Sequence, residues 1–472
     1  MHFMTQWVNR RRLALVLAGA LLLVNKPVVS SVVLAAGAGA YAHLAWRDRS
    51  RAASWLVLAS ALPLFVDVPS MRLTVLNLVW SAPARSAAQS GTRFHLAFIA
   101  IAILVTVSVL RREPANLPRP DWQLVAALGL TFTVSLVTGL ATGAGPIAVI
   151  YYGQTVIPLL AWFCAVMVGL RPDHVAVRVV QAVTVTTAVT VAYSMVHGGL
   201  GGAFRSSIAL ENSIPQYRSY FPALQAIAAA FAITYLRRHR RLAVVSLACT
   251  AASLPFMWSR GGLVMIGIAA CLGYLLMPGE VLSRGRLVRV AALGAIGATG
   301  VALILRVGIV GQRGVLSDLT ASDSTRIDLA RAAIDRIAAS PLVGDAFRPY
   351  SDQLVGGRTA DFARLFPTHN QYFDYGIRGG ILAALLLVVI LAVSLWRCVV
   401  GLRRRNLAPE FFGGALAGLV AIAVGCFGEL YITQTWTGSV VLIVAATASL
   451  TCASATGTED ETIDPGLPAR SP

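Results

Sequence analysis

Long apolar runs and short polar links alternate along this chain, and the alternation predicts its elements. Runs of about 17 to 25 mainly apolar residues suffice for a helix to cross a hydrocarbon layer. They fall at 13–25, 28–46, 53–69, 94–110, 122–141, 146–170 and 175–196, then at 219–236, 242–258, 261–277, 288–310, 376–396, 410–428 and 436–453. The first is short enough to be re-entrant, so about twelve to fourteen spans are expected. Segment 70–92 breaks the pattern and reads as a stretch along an interface.

One polar segment, 311–372, is far longer than the other links and has a periodicity of its own. Asp323 or Ser324 is suited to cap a helix running to about Ala339, where Ser340-Pro341 stops it. Ile327, Ala330, Ile334 and Ile337 form an apolar stripe at helical spacing, with Asp328, Arg331, Asp335 and Arg336 on the other side. Such a helix lies flat on a membrane or on the bundle. A long insert with this patterning reads as a cap and not as a linker.

Composition fixes the class. Hydrophobic residues make up 57% of the chain, charged residues only 13%, and mean hydropathy is +0.71, whereas soluble domains carry about 25% charge. The expected fold is an all-α, polytopic transmembrane helical bundle. It forms one membrane domain over 1–454, with 311–372 as its extracytoplasmic cap loop and 455–472 as a disordered cytoplasmic tail.

The net charge of +18 does not imply nucleic acid, because the arginines cluster between apolar runs. Arginine-rich links at Arg47–Arg51, Arg111–Arg112, Arg171–Arg178, Arg237–Arg241, Arg284–Arg289 and Arg397–Arg405 follow alternate spans. That is the positive-inside pattern, and it assigns all six to the cytoplasm. Segment 311–372, with seven Arg and seven Asp, then faces outward, as do 197–218, Trp258–Gly262 and Glu429–Trp436. The functional face is then expected outside.

Lys26 is the single lysine, so an arginine here is weak evidence for bidentate anion recognition. The six cysteines, Cys164, Cys249, Cys271, Cys398, Cys426 and Cys452, lie in apolar spans without a CxxC pair. They read as small core residues, with neither disulfide nor metal implied. Arg10-Arg11-Arg12 before Leu13 resembles a signal peptide, but no small-residue cleavage site follows; an uncleaved first helix is expected.

The outer face offers few reactive groups. His369 and Asn370 stand in the last turn before a span, and Arg260 follows Trp258-Ser259 at the mouth of another. Arg205 and Arg218 flank Glu211, and Arg326 begins the amphipathic helix. Each has an ordinary role as well: an arginine at a span end anchors it at the interface, and a lone histidine caps or packs. Arg260 fits that role least, because it sits where positive charge is disfavoured. A pair of guanidinium groups beside an imidazole is what reaction at a lipid diphosphate requires. The arginines hold the diphosphate and offset charge on the leaving group, and a neutral histidine takes the proton of an attacking hydroxyl.

Ser259-Arg260-Gly261-Gly262 opening a span, Ser340-Pro341-Leu342-Val343-Gly344, His369-Asn370-Gln371-Tyr372 and Gly376-Ile377-Arg378-Gly379-Gly380 occur in this order across about 200–380. This set resembles the O-antigen ligase and polymerase superfamily of bacterial envelopes. The resemblance implies a metal-independent, cofactor-free membrane glycosyltransferase that inverts the anomeric carbon. It would move a glycan from a polyprenyl-diphosphate carrier to an acceptor hydroxyl on a lipid or glycan. By the resemblance, His369 is the base, Arg260 one diphosphate clamp, Arg218 the other, and Arg326 the arginine of the loop helix. Two departures stand out: Ala330 occupies a position where the family often has Trp, and Tyr220-Phe221-Pro222-Ala223 replaces a Pro-Asn pair after Arg218. Arg205 therefore stays an alternative to Arg218. Ligase and polymerase share a donor and differ in acceptor. A transporter or flippase of lipid-linked glycan is the reading from another class; it predicts broken, charged helices at mid-membrane and two similar halves.

Overall fold

The computed structural model describes residues 27–62, 64–67, 72–75, 93–111, 121–144, 147–189, 191–192, 215–257, 260–278, 285, 288, 290–291, 315–347, 370–404, 408–428, 430–432 and 435–460. Helices dominate, as expected. In chain order they are α1 (Pro27–Arg47), α2 (Arg49–Ala61), α3 (Leu96–Leu110), α4 (Asp121–Ala141) and α5 (Ile147–Val168), then α6 over 172–189. There follow α7 (Pro215–Thr234), α8 (Arg240–Met257), α9 (Arg260–Leu275), α10 (Val315–Ala339), α11 (Gln371–Arg403), α12 (Pro409–Gly425) and α13 (Thr435–Asp460). Among the described residues two helices, α4 and α11, are long and apolar enough to cross a membrane. Of the expected spans, 13–25 and nearly all of 288–310 lie outside the described residues.

Three expectations need correction. The run 53–69 is not one helix: α2 ends at Ala61, and Leu62 is extended at φ −89, ψ 134. Pro63 follows, and a proline bars the preceding residue from helical geometry. The chain then makes an antiparallel sheet of β1 (Leu64–Asp67), β2 (Arg72–Val75) and β3 (Arg93–His95), in the order β2-β1-β3. Leu64 pairs with Val75, and Phe65 with His95. The amphipathic helix α10 starts at Val315, so Asp323 and Ser324 lie inside it and not at its start. Of the two surfaces open to its apolar stripe, the bundle is not the one it meets: Leu329 and Ala333 are buried while Ile327 and Ile334 are exposed. Finally, α13 continues to Asp460, into the stretch expected to be disordered.

The centre of the bundle is α7, α12 and α13, whose residues 221–232, 411–415 and 440–446 are almost wholly buried. Small residues set the spacing: Ala-rich α7 and Gly-rich α12 approach until a Cβ on Gly418 would lie 3.3 Å from the Cα of Ile227. Close backbone approach through small residues is how apolar helices associate when burial from water contributes little.

The described arginines of the arginine-rich links gather at one end of the bundle. Arg397 makes a two-pronged bond to Asp121 at 3.1 and 3.0 Å, joining α11 to α4. Arg238 and the Tyr235 hydroxyl both donate to Asp173, at 2.9 and 2.8 Å, joining α7 to α6. Arg49 donates to the Met167 carbonyl at 2.7 Å. Trp46 and Trp396 are exposed at this same end. The opposite end carries the turn 340–347, the start of α11, the start of α9 and the turn 426–432.

Candidate functional site

The sequence-predicted groups lie at that opposite end or outside the described residues. His369 and Arg205 fall outside. Arg260 is the first residue of α9, and Arg218 lies in the first turn of α7. Arg326 sits well inside α10 and does not begin it.

The residue after His369 is fixed by several bonds. Asn370 caps α11, its carboxamide oxygen accepting from the amides of Tyr372 at 3.0 Å and Phe373 at 3.2 Å. Asn and Asp suit this place because a short side chain folds back onto orphan helix amides. Its Nδ2 donates to the Phe427 carbonyl at 3.3 Å. Gln371, fully buried, donates its amide to the Cys426 carbonyl at 2.8 Å and accepts from the Ile432 amide at 2.8 Å. The Tyr372 hydroxyl donates to the Ala423 carbonyl at 2.8 Å, and its ring lies 4.8 Å from that of Phe427. Residues 370–372 are thus stitched to the turn between α12 and α13.

The same turn meets α9. A Cβ on Gly261 would lie 3.8 Å from the Tyr431 hydroxyl, and Tyr431 is fully buried. Positions 260 and 369 are therefore each one residue from a group docked on the turn 426–432. Helix register adds position 218. Helices α7 and α9 run parallel, and a Cβ on Gly273 of α9 would lie 3.3 to 3.4 Å from the Ala230 backbone of α7. Twelve residues toward the N-terminus of each, about 18 Å higher, stand Gly261 and Arg218. Positions 218 and 260 are thus level, at the end where residues 370–372 dock. No described contact brings residue 326 to this group.

Below it lies a feature that the sequence reading passed over. Arg378 donates through Nε to Asp374 at 2.8 Å and through Nη1 to the Thr155 hydroxyl of α5 at 2.9 Å. Its guanidinium stands 6.0 Å over the Phe347 ring. Asp374 is fully buried and Arg378 is 8% exposed. The i, i+4 spacing of Asp374 and Arg378 in an apolar stretch was a legible signal for the pair; the tie to Thr155, 223 residues away, was not.

The two glycine-bearing motifs interlock. Gly380, at φ 76, ψ −178, breaks α11. The break leaves the Ile377 carbonyl to accept from the Asp345 amide at 2.6 Å, and the Ile381 amide to donate to the Pro341 carbonyl at 2.8 Å. A Cβ on Gly380 would lie 2.5 Å from Pro341 and Leu342 backbone atoms, and one on Gly344 (φ 62) 2.8 Å from the Gly380 amide nitrogen. Only glycine combines that φ with that approach. Arg336 and Asp345 form an ion pair between α10 and the turn. Ala346 and Phe347 also have positive φ, 53 and 62. Phe347 is held there by edge-on rings of Phe132 at 5.8 Å and Tyr152 at 5.7 Å. A bulky residue in that region is strained and persists where packing fixes it.

Among the described residues no group of three His, Cys, Asp or Glu is placed to hold a metal ion. Comparison with protein-family models finds no match, and neither does comparison with curated proteins.

Proposed function

We propose that the chain is a multi-pass membrane glycosyltransferase of the O-antigen ligase type, acting on the extracytoplasmic face of a bacterial cytoplasmic membrane. It takes a glycan from a polyprenyl-diphosphate donor and passes it to an acceptor hydroxyl on a lipid or glycan. The observation that carries this reading is the shared docking of α9 and α11 on the turn 426–432, with position 218 level with 260.

The chemistry follows from those positions. Arg260 and Arg218 hold the diphosphate, and Arg205 and Arg326 are the further guanidinium candidates for the same head group. The acceptor oxygen attacks the anomeric carbon as its proton passes to His369. The bond from that carbon to the diphosphate oxygen breaks, and polyprenyl diphosphate leaves with its charge offset by the arginines. Attack opposite the leaving group inverts the anomeric centre. Two guanidinium groups supply the positive charge, so the scheme uses no metal.

Membrane placement is supported by matched levels. Asp121 and Arg397 pair at one end, and Gly139 and Gly380 both abut the turn 340–347 at the other. Residues 121–139 and 380–397 each rise about 26 Å, close to the ~30 Å hydrocarbon thickness of a bilayer.

Glycan profiling of a deletion strain tests the reading. Full-length polymer stranded on its lipid carrier is the expected result, restored by wild type but not by His369→Ala. Capped single repeat units would assign the same site to polymerisation. Unchanged envelope glycans, or complementation by His369→Ala, would contradict both.

A further inference from the structure

We infer that the outward face of α10, from Ile327 through Ile334 to Leu342 just past its end, is seated in the outer boundary of the phospholipid bilayer. This rests on the membrane placement proposed above and adds to it where the surface lies and which face of the loop helix meets it. The first observation is an inversion of burial. Helix α10 packs on the bundle through Leu329 and Ala333, 6% and 1% exposed, and leaves Ile327 and Ile334 at 55% and 52%. Leu342, at 80%, is the most exposed of the large hydrophobic side chains among the described residues. An apolar face of this kind on a polar helix marks an interaction surface.

Continuity identifies the occupant. The Pro341 carbonyl accepts from the Ile381 amide at 2.8 Å, so Leu342 stands beside the outer start of the exposed apolar strip on α11. That strip includes Ile381 at 52% and Leu385 at 57%. On the other side Ala346 abuts Gly139, next to exposed Val137 and Leu140 of α4. These are the two helices long and apolar enough to cross a membrane among the described residues; the exposed strip on α11 reaches the turn at Leu342, and the one on α4 ends beside its buried Ala346. The exposed Ala338 and Ala339 carry the surface on to Ile334.

The charges on this helix suit head groups. Arg331, four residues after Ile327 and three before Ile334, shares their face and is not opposite it as the sequence pattern suggested; its side chain is 76% exposed with Asp328 at 3.8 Å, and Asp335 is also exposed. A long aliphatic stem ending in a guanidinium reaches lipid phosphates while its carbons stay in the boundary. One consequence bears on the reaction. Residue 326 immediately precedes Ile327, so an anchored face holds it at the depth of lipid phosphates, where the donor's diphosphate also resides.

Nitroxide labels at Ile334→Cys, Leu342→Cys and Leu385→Cys, in full-length Cys249→Ala/Cys271→Ala protein in phospholipid nanodiscs, test this. The other four cysteines are buried. At Leu385 collision with oxygen should far exceed collision with a water-soluble nickel chelate. At Ile334 and Leu342 oxygen should still be favoured, by a smaller ratio that places both labels a few ångströms below the phosphates. Nickel-dominated collision at Ile334 and Leu342 with oxygen dominance at Leu385 would overturn the inference and leave the membrane reading standing. Nickel dominance at all three would remove both. Dipolar broadening between labels at Ile334 would show a second copy on this face and equally overturn it.

Discussion

At the scale of single residues, the buried Asp374–Arg378 pair has the largest consequences. Neither partner is solvated, so removing one leaves the other as an uncompensated charge, which costs about 3–5 kcal/mol. Arg378→Met and Asp374→Leu should each strongly lower thermal stability in detergent, and the double variant should lose less than the sum of the singles. A double-mutant cycle with no coupling between the two positions would contradict the pairing. Gly380→Ala is the second residue-scale case. It adds a Cβ at φ 76 against the Leu342 backbone at 2.5 Å, and a left-handed side chain alone costs about 1–2 kcal/mol. Thermal unfolding should show a loss of at least that size, and unchanged stability would argue against the observed kink. Arg260 and His369 could be picked out in the sequence as polar groups where polarity is disfavoured. The seating of Gln371 on the turn could not, since nothing local in the chain says that residues 371 and 432 share a hydrogen bond.

At the scale of elements, length and hydropathy were legible and contact faces were not. The apolar runs locate most of the described helices, because twenty apolar residues in sequence leave few other ways to satisfy the backbone. The run 53–69 misled because hydropathy is blind to the proline at 63. Periodicity in α10 marked Ile327 and Ile334 as one apolar side of an amphipathic helix but left open whether membrane or bundle covers it; the bundle packs on another side. Two apolar strips exist on that helix. The close approach to α11, where Ile337 meets Gly376, selects the strip with the smaller residue Ala333. Helix packing gives a further prediction. Gly418→Leu places a branched side chain against Ile227, and overpacking of this kind costs about 1–3 kcal/mol. The expected result is a lower unfolding temperature with loss of monodisperse protein in detergent. An unaltered melting profile would show that α7 and α12 are not in close contact.

At the scale of the whole molecule, the arginine clusters already divided the chain into two sides. The structure draws the described ones to one end through Arg397–Asp121, Arg238–Asp173 and the Arg49 bond to Met167. What the sequence could not supply was convergence: that the starts of α7, α9 and α11 and the turn 426–432 meet at the other end. The central claim is that a guanidinium pair and one imidazole act there together on a lipid diphosphate. Its most direct test is release of polyprenyl diphosphate by the purified protein in nanodiscs, from a glycan-loaded donor with native envelope lipids as acceptor. Wild type should release it. His369→Ala should be slower by about 10²- to 10⁴-fold, the usual effect of losing a general base, with donor binding retained. Arg260→Ala should bind the donor more weakly and also react more slowly. Release by His369→Ala at the wild-type rate, or none by the wild type with a range of such donors, would contradict the account.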